Sequence, residues 1–182
     1  MALRLFAALA LPEDVADRLL ALQKGVPGAK WRPRENLHLT LRYFGELQEP
    51  VADDLDSELA AVADAHAPVE VQLKGAGAFG GADPHTLWIG VRESAALSAL
   101  AAACERAARR VKLKPESRRF TPHVTLAYLS AAPLDRVHSF EQRLGLFETR
   151  PFLVESFGLY SSHARKSAPS LYKLEAEYAL GR

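Results

Sequence analysis

Two histidines of this 182-residue chain each precede a threonine by two positions. His38 and Thr40 lie in "NLHLTLRYFGE", and His123 and Thr125 lie in "FTPHVTLAYL", with a leucine directly after each threonine. An imidazole titrates at about pH 6.5, so of two facing histidines one can be neutral while the other is protonated. That combination is what a general base and a general acid acting in one step require.

The two threonines suit the same chemistry. A threonine hydroxyl is a compact, uncharged hydrogen-bond donor. Hydrogen bonds to negatively charged oxygens are charge-assisted and therefore strong. Thr40 and Thr125 are predicted to hold the non-bridging oxygens of a phosphate that lies between the two histidines.

Other chemistries fit the pattern less well. A single strand histidine is more often a surface or hydrogen-bonded residue than a catalyst, but the second copy of the pattern favours catalysis. A metal site is the weaker alternative, because the repeat supplies two imidazoles and no Cys, Asp or Glu on their predicted face. The chain has no G-x-S-x-G, and its single cysteine, Cys104, lies in a helical pattern, which argues against a serine or cysteine nucleophile.

Strand geometry predicts which side chains share a face with the histidines. Side chains alternate along a strand, so His38, Thr40 and Arg42 should lie on one face. The leucines and Tyr43 should lie on the opposite, buried face. The same rule predicts that Tyr128 lies on the face opposite the second histidine.

The remaining sequence alternates between strand and helix patterns. Apolar runs and period-2 alternation predict strands at residues 3–11, 37–45, 69–79, 85–91, 120–129, 152–162 and 171–180. Helical spacing predicts helices at residues 12–25, 50–66, 94–112 and 133–145. The mixed order predicts an α+β fold with antiparallel-rich sheets. Because each H-x-T strand has a helix before and after it, we expect residues 1–182 to form one domain of two pseudo-twofold related lobes. Each lobe would place one strand at a central cleft, with the helices outside.

Composition limits the class of protein. The chain is 48% hydrophobic and 25% charged, which is typical of a soluble globular protein. A net charge of +1 argues against electrostatic binding to many phosphates of a nucleic-acid duplex at once. One cysteine excludes an intramolecular disulfide and fits a reducing cytoplasm. The apolar run at the N-terminus is too short for a membrane span of roughly 20 residues and is better interpreted as a strand than as a signal peptide.

The paired motifs "HLTL" and "HVTL", with histidines 85 positions apart, resemble those of the two-histidine phosphoesterase superfamily. The resemblance is to the bacterial and archaeal RNA 2′,3′-cyclic phosphodiesterases, also called 2′-5′ RNA ligases. It runs nearly from end to end and includes "LRLFAALALP", "WRPRENLHLTLRYFGE", "LWIGV", "RRFTPHVTLAY" and "LYKLEAEYAL". The paired motif is specific to the superfamily and much less specific to one substrate.

The resemblance implies a role for each motif residue. His38 would donate a proton to the departing 3′ oxygen, and His123 would activate a water molecule that opens the cyclic phosphodiester to a 2′-phosphate. Thr40 and Thr125 would hold the phosphate, without a metal or nucleotide cofactor. The near-identical motifs leave open which histidine is the acid. The implied partner is an RNA with a 2′,3′-cyclic phosphate end, such as a tRNA half, bound by a cytoplasmic monomer that makes no contact with a membrane.

Alternatives remain at the same site. They are 2′-5′ RNA ligation, hydrolysis of another cyclic nucleotide, and RNA binding without catalysis. The family often has an arginine where this chain has Tyr128, so contacts to RNA are expected to differ. Arg42 is a possible RNA contact, although pairing with a surface acid is as plausible, and Tyr172 or Phe120 is a candidate for stacking on a terminal base.

Overall fold

A computed structural model describes residues 1–181 of the chain; Arg182 lies outside the described residues. The described residues form ten strands: β1 (Ala2–Ala10), β2 (Lys30–Trp31), β3 (His38–Gln48), β4 (Val69–Val71), β5 (Leu73–Phe79), β6 (Thr86–Val91), β7 (His123–Tyr128), β8 (Phe152–Val154), β9 (Ser156–His163) and β10 (Leu171–Ala179). They also form four α-helices: α1 (Glu13–Ala21), α2 (Glu49–Asp64), α3 (Ala95–Arg110) and α4 (Leu134–Arg143). A 3-10 helix (Arg34–Asn36) precedes β3. This mixed order, with antiparallel pairing throughout, confirms the predicted α+β class.

Eight strands form one antiparallel sheet. Seven of them follow the order β10-β9-β1-β3-β7-β6-β5, and β2 pairs with β7. The two H-x-T strands, β3 and β7, are neighbours at the centre of this order. They are joined by a single residue pair, Leu39 opposite Val124. The sheet therefore has two halves that meet at the two histidine-bearing strands and separate on either side of that pair.

Two of the helices pack together against the main sheet. α2 and α3 pack against each other and against β3. The Ser94 hydroxyl caps α3 by accepting a hydrogen bond from the backbone N–H of Leu97 at 3.1 Å. Apolar residues of α3 recur every three or four positions and are buried: Leu97, Leu100, Ala101, Cys104, Ala107 and Ala108. Among residues 1–181, no helix has both the length and the apolar character that a membrane crossing requires.

Two segments that were each predicted as one strand form two strands in the structure. The segment predicted as one strand over 69–79 divides at Gln72 into β4 and β5, and the segment over 152–162 divides at Glu155 into β8 and β9. β4 and β8 leave the main sheet and pair with each other in a small antiparallel sheet. Each division consists of a single residue that belongs to neither strand. At 69–79 the alternation of buried residues continues across the division. The sequence pattern therefore gives no sign of a boundary between two strands there.

A β-bulge follows the threonine of β3. Ala8 of β1 pairs with Thr40, but the next β1 residue toward the N-terminus, Ala7, pairs with Arg42. Leu41 is therefore an extra residue that has no partner on β1. An extra residue shifts the alternation of side chains by one position in the residues that directly follow it.

The same irregularity follows the threonine of β7. Trp88 of β6 pairs with Thr125, whereas Leu87 pairs with Ala127. Leu126 is the extra residue, at the motif position that Leu41 occupies in β3. Both H-x-T strands thus reverse the orientation of their side chains at the same place.

Candidate active site

The two H-x-T pairs line one cleft. It has a volume of about 200 Å³ and lies where the two halves of the sheet separate. Its lining includes His38 and Thr40 from β3 and His123 and Thr125 from β7. Residues that are 85 positions apart in the sequence therefore face the same small volume.

Strand register explains this convergence. Leu39 pairs with Val124 in antiparallel orientation, so each histidine lies on the same side of this pair as the threonine of the other motif. The two histidines are therefore diagonal to each other across the pair, and both line the cleft.

Aromatic contacts and a hydroxyl fix the ring of His38. The ring stacks on Phe6, with centroids 4.9 Å apart, and meets the edge of Tyr172 at 5.2 Å. Its Nε2 lies 3.0 Å from the Oγ1 of Thr40. The threonine hydroxyl is thus positioned to contact both Nε2 of His38 and a ligand in the cleft.

The environment of His38 favours the neutral imidazole. Burial lowers the pKa of His38 to about 4, against a hydrogen bond to the backbone of Asn36 that raises it. The positive charge of Arg32 and the neighbouring His123 lower this pKa further. An anion in the cleft would act in the opposite direction, because a nearby negative charge favours the protonated ring.

A backbone carbonyl fixes the tautomer of His123. Its Nδ1 lies 2.6 Å from the carbonyl oxygen of Thr121, which can only accept, so Nδ1 carries the proton. The Nε2 of the neutral ring is then a proton acceptor. Burial lowers the pKa of His123, and the hydrogen bond to Thr121 partly opposes this shift. Phe79 contacts the ring edge-on with centroids 5.0 Å apart and restricts its orientation.

The predicted orientation of two tyrosines is wrong. Tyr43 and Tyr128 were expected on the buried face, but both line the cleft and are 46% and 45% exposed. The bulges at Leu41 and Leu126 are the cause, because each returns the second residue after it to the histidine face. The sequence contains a signal for this arrangement: the repeat extends from H-x-T-L to H-x-T-L-x-Y in both strands.

The predicted orientation of Arg42 is also wrong, for the same reason. The bulge at Leu41 turns its side chain away from His38, and Arg42 does not line the cleft. Its guanidinium instead pairs with Glu105 of α3 and donates a hydrogen bond to the carbonyl of Lys114 at 2.9 Å. Arg42 therefore connects the sheet to the helical layer, and its position does not support the predicted contact with RNA.

Arg32 is a cleft residue that the sequence motifs did not predict. This residue is 8% exposed and lines the cleft. It directly follows β2, and its backbone N–H donates to the carbonyl of Leu126 at 2.7 Å, which holds it beside β7. A strand of two residues gives no periodic signal. The only sequence feature that points to a cation near the first motif is the arginine-containing stretch "WRPREN" that precedes it.

The two candidates for base stacking differ in position. Tyr172 lines the cleft and contacts the ring of His38. Phe120 is partly buried and packs against the hydrophobic core. Tyr172 thus remains a candidate for contact with a ligand, whereas the position of Phe120 favours packing.

Comparisons with known proteins identify the family of this chain. Residues 11–166 match the model of the 2′-5′ RNA ligase superfamily. An RNA 2′,3′-cyclic phosphodiesterase of Aeropyrum pernix is 34% identical over 158 residues, which cover 84% of this chain and 88% of that protein. A protein of the same name from Thermus thermophilus is 30% identical over 182 residues, covering 95% of this chain and 88% of its own length.

Solved structures share the fold. A crystal structure of a Thermus thermophilus protein has a TM-score of 0.81 at 26% identity, with 97% of each chain covered. LigT of E. coli, crystallised with 3′-AMP, has a TM-score of 0.81 at 24% identity over the full length of both chains. These matches confirm the resemblance inferred from the paired motifs. The chain belongs to the 2′-5′ RNA ligase superfamily.

Proposed function

We propose that this chain hydrolyses the 2′,3′-cyclic phosphate at the end of an RNA and leaves a 2′-phosphate. One observation carries this proposal: two histidines and two threonines from strands distant in the sequence line the same cleft. The relatives from Aeropyrum pernix and Thermus thermophilus bear the name of this activity. The pair of imidazoles supplies the acid and the base that the reaction needs.

In the proposed reaction a water molecule attacks the phosphorus of the cyclic phosphodiester. His123 accepts a proton from this water through Nε2, because its Nδ1 is already bonded to the carbonyl of Thr121. A bond forms between the water oxygen and phosphorus, and the bond from phosphorus to the 3′ oxygen breaks. His38 gives its proton to that departing oxygen. Thr40 and Thr125 donate hydrogen bonds to the non-bridging oxygens.

Binding of the substrate would itself favour the protonated form of His38, which is the form that acts as the acid. Burial lowers the pKa of His38 to about 4, so its ring is neutral at pH 7. The negative phosphodiester raises this pKa and favours a protonated ring next to the leaving oxygen. His38 would thus become a competent acid mainly when a substrate occupies the cleft.

We assign this reaction to residues 1–182 as a single two-lobed domain that acts as a monomer. Its substrates would be RNA fragments with cyclic phosphate ends, such as tRNA halves. The exposed rings of Tyr43 and Tyr128 support an oligonucleotide substrate, because bases stack on aromatic side chains.

The test is product analysis with a short RNA that ends in a 2′,3′-cyclic phosphate, in the presence of a metal chelator. The expected product carries a 2′-monophosphate and a free 3′ hydroxyl, which ³¹P NMR distinguishes from the 3′-monophosphate. Adding an RNA with a 5′ hydroxyl end to the same reaction measures 2′-5′ ligation. Absence of product, or a 3′-monophosphate as the product, would count against the proposal.

A further inference from the structure

Arg32 is a buried cation whose charge is not paired within the described residues. The residue is 8% exposed, and among residues 1–181 it forms no salt bridge with a carboxylate. None of the described residues that line the cleft is acidic. Removing a charged group from water without a counter-charge is costly, so such an arginine is typical of a site that binds an anion.

The guanidinium of Arg32 has unused hydrogen-bonding capacity. An arginine side chain has five N–H donors. Within the described part of the chain, one of them is used: Nη2 donates to the hydroxyl of Tyr172 at 3.2 Å. The other donors remain for a ligand. A planar guanidinium can contact two oxygens of one phosphate at once.

Two tyrosines hold the guanidinium in a defined plane. The carbon Cζ of Arg32 lies 4.9 Å from the ring centroid of Tyr128, an arrangement typical of a cation–π contact. The hydroxyl of Tyr172 contacts the same group on its Nη2 side. Because Tyr172 also touches the ring of His38, the guanidinium is close to one of the two histidines.

We propose that Arg32 is the cationic phosphate-binding residue of this cleft and donates hydrogen bonds to non-bridging oxygens of the phosphate between the two histidines. Tyr128 and Tyr172 are its positioning residues. Because this assignment concerns the reaction proposed above, it rests on that proposed function. In the reaction, Arg32 would stabilise the negative charge that grows on the phosphate oxygens as water attacks.

A binding experiment tests this role without any need for activity. Inorganic phosphate is titrated at pH 7 into wild-type protein and into the Arg32→Gln and Arg32→Lys variants, with the ring signals of His38 and His123 followed by NMR. Loss of a charge-assisted hydrogen bond predicts a phosphate affinity about 10- to 100-fold weaker in Arg32→Gln. Arg32→Lys keeps the charge but not the planar fork and should be intermediate.

Lys30→Gln is the matched control. It removes the same charge two residues away, from an exposed side chain outside the cleft lining, and should keep wild-type affinity. Two further readouts separate binding from a structural role. The Nε–H signal of Arg32 should shift when wild-type protein is saturated with phosphate. The pKa of His38 should rise in free Arg32→Gln, because the nearby positive charge that lowers it is gone.

Wild-type phosphate affinity in Arg32→Gln, or an Arg32 signal that phosphate does not move, would overturn the assignment. The second measurement uses wild-type protein and remains decisive if a variant does not fold. Phosphate binding that depends on Arg32 in a protein without hydrolytic activity would refute the proposed function and support Arg32. Full hydrolytic activity together with full phosphate affinity in Arg32→Gln would support the proposed function and refute the role of Arg32.

Discussion

Tyr43 and Tyr128 occupy equivalent positions in the two halves of the sheet: each lies three residues after the threonine of its motif and two residues after a bulged leucine. Each faces the cleft with nearly half of its surface exposed. The bulge is therefore part of the repeat. It allows one strand to direct a histidine, a threonine and a tyrosine into the same space, which strict alternation does not permit.

Tyr43→Ala should weaken binding of an RNA substrate more than it slows the chemical step. Stacking of a base on an aromatic ring contributes about 1–3 kcal/mol, so KM should rise about 5- to 150-fold with little change in kcat. Tyr43→Phe keeps the ring and should behave like wild type. Steady-state kinetics on a short RNA measures both constants, and an unchanged KM in Tyr43→Ala would contradict a stacking role.

Thr125→Val should lower kcat/KM for cyclic phosphate hydrolysis by about 10- to 100-fold, because it removes a hydrogen bond to a charged group and keeps the branched shape. Thr86→Val is the matched control. The hydroxyl of Thr86 lies 2.8 Å from Nδ1 of His85 and is outside the cleft lining. Equal losses of kcat/KM in the two variants would show that the effect comes from a disturbed fold and not from a lost hydrogen bond to the phosphate.

Arg42→Ala should destabilise the fold and leave catalysis intact. Its side chain is 9% exposed, and the partner Glu105 is 19% exposed. Removing one member of such a pair should lower the free energy of unfolding by about 3 kcal/mol. Arg109, which binds the same carboxylate, is 57% exposed, and Arg109→Ala should cost less than about 1 kcal/mol. Urea denaturation measures both values. A loss of kcat/KM in Arg42→Ala without a loss of stability would show that Arg42 contributes to substrate binding or catalysis.

Burial of neutral His38 predicts a pH-dependent stability. The pKa of His38 is about 4 in the fold and about 6.5 in the unfolded chain. Between these values the unfolded chain binds more protons, so this contribution to stability is fully present above pH 6.5 and is lost as the pH falls towards 4. His38→Gln cannot titrate. The difference in unfolding free energy, wild type minus His38→Gln, should therefore rise by up to about 3 kcal/mol from pH 4 to pH 6.5. A constant difference across this range would contradict a partly buried, neutral ring.

Part of the cleft lining could be predicted from the sequence because the H-x-T motif occurs twice. The two motifs, in strand-like segments, predicted four of the residues that line the cleft, and the order of apolar patterns predicted the α+β class. These inferences depend on residue type and on local periodicity, both of which a single sequence contains.

Other features depend on strand pairing, which local periodicity does not record. Alternation assumes a regular strand, so the bulges at Leu41 and Leu126 reversed the predicted orientations of Arg42, Tyr43 and Tyr128. The pairing of β4 with β8 joins segments that are far apart in the chain. Arg32 reaches the cleft through β2, which is too short to produce a pattern.

His38 and His123 are proposed to act together on one phosphate. The decisive measurement is kcat for hydrolysis of an RNA 2′,3′-cyclic phosphate in His38→Ala, His123→Ala and the double variant. His66→Ala is the control, because the ring of His66 bonds the carbonyl of Val62 and is outside the cleft lining. Each single variant should lose about 10²–10⁴-fold in kcat. The double variant should lose little more than either, because acid and base act in one step. Wild-type kcat in His38→Ala or in His123→Ala would contradict the claim.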